Sequence, residues 1–147
     1  MADWRYSEMT DPTKKLTFIK PVRSPVADEF YGHFAQGKIA LQRCSACNSW
    51  IHIPREMCFR CGSLNLKWDE CSGRAELFTW TDTALAPLPV LAEDVPFVVG
   101  LVQLEEGPRV VSRLVNVADV ELTPGLKLKV RFDEVDGDTM IATFEPE

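Results

Sequence analysis

The sequence predicts a mainly β protein in which an N-terminal helix and a small rubredoxin-like zinc ribbon precede a five-stranded barrel. Three observations predict this class. Two C-x-x-C pairs are separated by ten residues, five short strand-like segments follow them, and one short stretch before them has helical spacing. Because 147 residues suffice for a small module plus one compact domain, we expect two folded units.

The N-terminal part of the chain predicts an arm followed by a helix. Residues 1–24 are polar and rich in Lys, Asp and Thr without a sustained period, which predicts an extended or partly disordered arm. Residues 25–37 open on a proline, carry acidic residues in the early turn, and place Phe30 and Phe34 four residues apart. Gly37 can end this amphipathic helix because glycine accepts a left-handed backbone.

Four cysteines in residues 38–72 predict a metal site. Two intervening residues let both thiolates of a pair reach one ion, and the span between the pairs can fold back as a hairpin. Asn or Gly follows each pair, and both residue types accept the left-handed backbone of a tight knuckle. Four sulfurs are typical of a closed structural zinc site. The predicted ligands are Cys44, Cys47, Cys58 and Cys61.

Two other occupancies of these cysteines remain open. Iron in a four-sulfur shell is one, because sequence does not separate metals that share this geometry. Two disulfides are the other, but the polar start of the chain lacks a signal-peptide core, and no apolar run approaches the roughly 20 residues that span a bilayer. We therefore expect a cytoplasmic protein with reduced thiols. Zinc would supply about 10 kcal/mol or more to a segment too short to build its own core.

Residues 73–147 predict the barrel. Turn residues at 105–108 and 136–138 indicate hairpins, and residues 117–122 leave space for a turn of helix after the third strand. Five strands with a helical connection at that point have the OB-fold layout. The predicted strands are residues 74–82, 97–104, 109–115, 126–132 and 139–144.

Two of these strands carry distinct patterns. Residues 97–102 are apolar without alternation, which predicts burial on both faces, and Gly100 allows the bend that closure of a barrel needs. The fourth strand alternates instead, so its apolar side chains should face inward. We interpret its outward basic row as a solvated face, and this row consists of Lys127, Lys129 and Arg131.

The charge distribution argues against a nucleic-acid function. Residues 1–37, 38–72 and 73–147 carry net charges of 0, +2 and −8, which give the total of −6. A nucleic-acid-binding protein normally shows a basic footprint. Binding of single-stranded nucleic acid is nevertheless the alternative function, because OB folds stack bases on aromatic side chains. The candidates for stacking are Trp50, Trp68, Trp80 and Phe78.

A series of motifs resembles a known family over about residues 25–146. The order of knuckles, Ser-Gly-Arg barrel entry and strand motifs is similar to that of the zinc-ribbon plus OB-fold proteins associated with acyl-CoA metabolism. Zinc knuckles alone are common, so the specificity comes from the order. The motifs lie at residues 39–44, 53–55, 61–63, 72–74, 96–102, 106–108 and 124–125.

The resemblance implies a function that the residues alone do not. Members of this family resemble accessory subunits of thiolase-fold enzymes, including thiolases, lipid-transfer-protein-like aldolases and hydroxymethylglutaryl-CoA synthases. The resemblance therefore implies that this chain carries structural zinc and forms a hetero-oligomer with such an enzyme. It also implies that the chain supports the handling of acyl-CoA and can share a CoA thioester with its partner.

The chain has few residues for such chemistry itself. A thiolase-type step needs a nucleophilic cysteine with histidine partners and an oxyanion hole. With four cysteines assigned to metal, Cys71, His33 and His52 remain. We interpret Cys71 as a small buried apolar residue and the histidines as structural or interface residues. We therefore expect the catalytic residues in another polypeptide. A self-sufficient enzyme or redox protein that uses Cys71 or a four-sulfur iron site is a third hypothesis.

Contact with CoA requires cations for its phosphates and an apolar wall for its pantetheine arm. Arg43, Arg55 and Arg60 lie in or beside the knuckles, in the one unit with net positive charge, and are candidates for CoA phosphates or partner carboxylates. Residues 83–95 form an unusually apolar connection. Such a loop either marks a binding surface or packs over the open end of the barrel.

Overall fold

The computed structural model describes residues 16–147. One helix precedes a three-stranded sheet and a closed five-stranded barrel, which confirms the predicted mainly β class. Of the predicted arm, residues 1–15 lie outside the described part, and residues 16–24 have no regular secondary structure. No helix within residues 16–147 is long and apolar enough to cross a membrane.

Helix α1 spans Pro25–Ala35 and is fixed at both ends by its local sequence. The Ser24 hydroxyl accepts a hydrogen bond of 3.3 Å from a backbone amide of the first turn. Gly37 follows the helix with a φ of 71°, the left-handed conformation predicted for it. Phe30 and Phe34 are buried and join the main hydrophobic core, so the helix packs through the predicted face.

The ribbon is an antiparallel sheet of three strands in the order β2-β1-β3. Strand β1 lies between the other two and is buried along almost its whole length, and α1 packs on it. The first knuckle begins where β1 ends. The strands are β1 (Ile39–Cys44), β2 (Trp50–Ile51) and β3 (Leu66–Cys71).

The barrel closes in the order β4-β5-β6-β8-β7, with β7 returning to β4. All its strand pairs are antiparallel except β6 and β8, which meet in parallel at one pair, Leu114 and Phe144. This connectivity is the predicted five-stranded OB-fold layout. The strands are β4 (Arg74–Thr83), β5 (Phe97–Leu104), β6 (Arg109–Leu114), β7 (Lys127–Glu134) and β8 (Met140–Pro146).

Two expectations for the barrel are wrong in detail. Strand β5 is not buried on both faces: buried and half-buried residues alternate along it, because only its inner side chains enter the core. The connection at residues 117–122 is a single hydrogen-bonded turn, from the amide of Val120 to the carbonyl of Val117 (3.2 Å), and not a helix. The buried Val117 side chain anchors this turn to the core.

The ribbon and the barrel are joined through a short, tightly packed junction. Gly73 between them has a φ of 79°, and a Cβ there would lie 2.5 Å from Val130. The amide of Ser72 donates to the Glu106 carboxylate at 2.6 Å, and Arg74 forms an ion pair with Glu105. The β5–β6 hairpin thus holds the end of the ribbon against the barrel.

We expect Gly100→Ala to destabilise the protein by about 1–3 kcal/mol, because strand β5 approaches Leu114 closely at this position. An added Cβ would lie 2.8–3.0 Å from three Leu114 side-chain atoms. The midpoint of urea unfolding measures the effect. Gly32→Ala is the matched control: Gly32 lies inside α1 with nothing within 4 Å of its added Cβ, so it should stabilise the protein by about 0.5–1 kcal/mol. An unchanged midpoint for Gly100→Ala would contradict the close approach.

Candidate functional site

The four cysteines of the two pairs converge on one point in the ribbon. Their sulfur atoms all lie within 4.8 Å of one another, with 3.6 Å between Cys44 and Cys61 and 3.7 Å between Cys47 and Cys58. A tetrahedral zinc site with Zn–S bonds of about 2.3 Å requires sulfur separations of about 3.8 Å. A disulfide needs about 2.05 Å, and all four cysteines are free thiols. The donor set therefore fits a four-coordinate metal ion.

The two knuckles have the same backbone hydrogen bonds, which explains why the sequence folds this way locally. In the first, the Asn48 amide donates to the Cys44 carbonyl (2.9 Å); in the second, the Gly62 amide donates to the Cys58 carbonyl (3.0 Å). Asn48 and Gly62 have φ values of 62° and 73°, the left-handed conformation predicted from their residue types. Each knuckle thereby aims its cysteines at the common point.

The pKa values of the clustered thiols depend on neighbouring hydrogen-bond donors and on the other sulfur atoms. The hydroxyl and amide of Ser49 favour the Cys47 thiolate and lower the pKa of that thiol to about 6. The Ser63 amide favours the Cys61 thiolate, but the neighbouring sulfurs of Cys47 and Cys44 outweigh it and raise the pKa of Cys61 to about 12. A metal ion would bind all four cysteines as thiolates, and its positive charge would offset the repulsion among them.

The three candidate arginines beside the knuckles have different surroundings. Arg43 shares the Asp69 carboxylate with Lys67, at 3.4 Å and 3.0 Å respectively, and stacks on the Trp50 ring at 4.9 Å, so it already has a carboxylate partner. Arg55 is exposed and stacks on Phe59 at 5.7 Å. Arg60 is exposed and contacts a serine hydroxyl at 3.4 Å. Among the described residues, Arg55 and Arg60 have no carboxylate partner, and these two remain available for an anion.

A cleft of about 260 Å³ opens where α1, the ribbon and the barrel meet. We call it the seam cleft, because its barrel wall lies along the seam between β6 and β8. The Ser112 hydroxyl donates to a β8 carbonyl across that seam at 2.8 Å. The lining is mostly apolar, and sequence did not predict it because its walls come from three separate segments. The lining includes Phe30, Tyr31, His52, Ile53, Val111 and Ile141.

Both histidines lie in aromatic contacts between α1 and the ribbon. The rings of His33 and Trp68 are 5.2 Å apart, and those of His52 and Phe30 are 5.9 Å apart. Burial lowers the pKa of His52, and its Nδ1 is buried without a hydrogen-bond partner among the described residues. Both surroundings suit structural side chains, as interpreted from the sequence.

Cys71 lies at the end of β3 with 6% of its surface exposed and belongs to the main core. Burial, with the nearby carboxylate of Glu106, raises the pKa of this thiol to about 11. A thiol with that pKa is protonated at neutral pH and is a poor nucleophile. This environment supports the interpretation of Cys71 as a small buried apolar residue.

The candidate stacking aromatics do not form one exposed row. Trp50, Trp68 and Trp80 are half-buried and pack against the core, and the Trp68 indole also donates to Glu29 at 2.6 Å. Phe78 is 45% exposed, but the guanidinium of Arg109 covers its ring at 3.6 Å. The three tryptophans are therefore not presented as an open platform for bases.

The apolar connection at residues 83–95, after β4, contains both buried and exposed apolar side chains. Leu91 is buried within a short 3-10 helix at Pro89–Leu91, whereas Leu85 and Val90 are 85% and 60% exposed. Near its end, the buried Asp94 carboxylate pairs with Arg113 at 2.8 Å. Buried and exposed apolar side chains thus occur along the same loop, and a binding role for the exposed ones stays a prediction.

The ion pair between Asp94 and Arg113 also binds the N-terminal segment, a role that the sequence does not predict. The Asp94 carboxylate also accepts a hydrogen bond from the Thr17 amide (2.8 Å), and Arg113 donates to the Thr17 carbonyl (3.5 Å). Arg113 further stacks on the rings of Phe18 and Phe97. Both backbone groups of Thr17 are recognised, so the pair holds the N-terminal segment on the barrel.

Comparisons with known proteins place both folded units in described domain families. Residues 33–67 match the family model described as ChsH2, rubredoxin-like zinc ribbon domain, and residues 68–133 match ChsH2, C-terminal OB-fold domain. A solved structure described as Ltp2-ChsH2(DUF35) aldolase contains a similar chain: the TM-score is 0.76 at 28% identity, over 86% of this chain and 98% of that one.

Two curated relatives are similar over most of the same region. A "Probable enoyl-CoA hydratase alpha subunit" of Thermomonospora curvata is 32% identical over 76% of this chain, which spans only 34% of that protein. A "DUF35 domain-containing scaffold protein" of Pyrococcus furiosus is 33% identical over 64% of this chain and 71% of that protein. With its matching zinc ribbon and OB-fold domains, the chain belongs to the DUF35 family of ChsH2-like proteins.

Proposed function

We propose that the chain is a noncatalytic accessory subunit of a thiolase-fold enzyme that acts on acyl-CoA, of the thiolase or aldolase type. The observation that carries this proposal is the similarity along 98% of a chain whose structure is described as an Ltp2-ChsH2(DUF35) aldolase. The description of the Pyrococcus furiosus relative as a scaffold protein supports the same role. The chain would stabilise its partner and assist acyl-CoA binding or transfer.

The proposed metal is a structural zinc ion held by Cys44, Cys47, Cys58 and Cys61. The sulfur separations and the match to a rubredoxin-like zinc ribbon support this assignment. Zinc with four thiolate ligands has no open position for water, so it would order the ribbon without taking part in bond making. Arg55 and Arg60 are the proposed anion contacts of this unit, whereas the contacts of Arg43 serve the ribbon itself.

The environment of Cys71 supports placing the chemistry in the partner. It is the one cysteine outside the cluster, and its buried thiol has a raised pKa. The two histidines are separated from it in sequence and engaged in aromatic contacts. A Claisen or retro-aldol step would therefore use residues of the partner enzyme.

Coexpression tests this function. The full chain is produced with each thiolase-fold enzyme from the same organism, beginning with those encoded by neighbouring genes, and is purified through a tag on the chain. We expect one enzyme to copurify, and its melting temperature and acyl-CoA turnover to fall when the chain is omitted. A copurifying enzyme whose stability and turnover are the same without the chain would refute the accessory role.

A further inference from the structure

Ion pairing is the rule for the basic side chains that the structure describes. Within residues 16–147, every lysine and all but three arginines lie within 4.0 Å of a carboxylate. The exceptions in this part of the chain are Arg55, Arg60 and Arg109, and all three are exposed. In a chain with a net charge of −6, unpaired guanidinium groups are the unusual feature. They mark the places where an external anion can be accepted without breaking an internal ion pair.

Two of the three unpaired arginines, Arg55 and Arg109, lie beside exposed apolar side chains. Arg55 stacks on Phe59, which is 62% exposed, and its Nε donates to the carbonyl of Ile53, which is 68% exposed. Arg109 stacks on Phe78, which is 45% exposed. Cations that flank exposed apolar residues are typical of the rim of a protein interface.

These two groups are connected across the seam cleft. Ile53 and Val111 both line that cleft, from the ribbon and the barrel respectively. Val111 is 69% exposed and lies two residues from Arg109 on β6, so both side chains project from the same outer face of the barrel. Val111 also pairs with the half-buried Leu101 of the next strand.

The result is one continuous band that crosses both folded units. We call it the docking band, and it consists of Phe59, Arg55, Ile53, Val111, Arg109 and Phe78. We propose that the docking band is the surface on which the partner enzyme sits, through an apolar patch with carboxylates at its edge that pair with Arg55 and Arg109. This assignment rests on the proposed function and specifies which face of the chain performs it.

The charge pattern favours a protein over a nucleic acid as the occupant. The barrel half of the chain has a net charge of −8, so a polyanion would be repelled from most of the surface around the band. A protein surface contributes discrete carboxylates that match two separated guanidinium groups, and apolar side chains that cover Ile53 and Val111. The band therefore fits a mixed apolar and acidic protein surface.

The test measures binding of the full chain to the thiolase-fold enzyme with which it copurifies. We expect Arg55→Glu or Arg109→Glu to lower the affinity about 10-fold each, and the double variant about 100-fold, because the two arginines belong to different folded units and share no contact partner. Val111→Asp should have a similar effect, since it places a charge in the apolar centre of the band. Lys129→Glu is the control for charge reversal outside the band: Lys129 lies on the outer face of β7 with 52% of its side chain exposed and pairs with Glu145, and the substitution should leave the affinity unchanged.

The remaining outcomes separate a failure of the proposed function from a failure of the docking band. If the wild-type chain binds no thiolase-fold enzyme of its organism, the accessory function fails and the assignment of the band fails with it. If the wild type binds but the band variants, folded by their melting curves, bind equally well, only the band is refuted. Binding of free CoA that depends on Arg55 and Arg109 would overturn the proposal in favour of phosphate contacts. A dimer of the chain alone that these substitutions dissociate would assign the band to a second copy.

Discussion

Replacement of Cys44 by serine is expected to remove the metal from the ribbon and release the partner enzyme. Cys44 is completely buried, and its sulfur lies 3.6 Å from that of Cys61. An exposed side chain therefore does not reach this position to replace the lost sulfur ligand. Structural zinc contributes about 10 kcal/mol or more of folding free energy in zinc-finger peptides. The ribbon has only three short strands, so its folding should depend on the metal. The helix and β1 share the main core with the barrel, so loss of the ribbon should also lower the stability of the barrel.

Metal content by mass spectrometry, the melting temperature and copurification of the partner measure this result. We expect about one zinc per wild-type chain and almost none in Cys44→Ser, while the isolated partner keeps its own catalytic residues intact. Cys71→Ser is the matched control, because Cys71 is buried but lies outside the cluster, and it should retain the metal. A Cys44→Ser chain that stays folded and bound yet blocks turnover would show that the four cysteines take part in chemistry. Iron in the wild type would refute the choice of metal.

The metal site was predictable because its information is local. Each knuckle is set by a cysteine pair and by one residue that accepts a positive φ, Asn48 or Gly62, and both adopt that conformation. The cap of α1 follows the same logic, since Ser24, Pro25 and Gly37 act on their immediate neighbours. The barrel strands are predictable for the same reason, since turn residues and strand patterns recur at short range.

The surface around the site was less predictable because it depends on distant pairs. From sequence, Arg43, Arg55 and Arg60 are equivalent cations next to cysteines. Asp69 lies 26 residues after Arg43 and forms an ion pair with it, and this follows only from the pairing of β1 with β3. Nothing in the sequence marks Arg109 as a candidate contact residue. Its separation from carboxylates and its contact with Phe78 arise only when the barrel closes. Strand β5 shows the same limit: its apolar run does not tell which face is covered.

Asp94→Ala is expected to destabilise the protein by about 3–5 kcal/mol, among the largest effects of any single change outside the metal site. The Asp94 side chain is 1% exposed and that of Arg113 is 13% exposed, and their closest atoms are 2.8 Å apart. Loss of the carboxylate leaves a largely buried guanidinium without its charged partner and the Thr17 amide without its acceptor. The free energy of unfolding in urea measures the change. Asp119→Ala, at an exposed turn, should stay within about 0.5 kcal/mol of the wild type.

A double variant separates the charge effect from the role of the pair in holding the N-terminal segment. Replacing a buried ion pair by apolar groups is often nearly neutral, so Asp94→Ala with Arg113→Met should be more stable than Asp94→Ala alone. The Thr17 amide loses its acceptor in both variants, so its hydrogen exchange should become faster in both. Recovery of stability with fast exchange would show that the pair fixes residues 16–19 on the barrel without being needed for its folding. Slow exchange at Thr17 in the double variant would contradict that role.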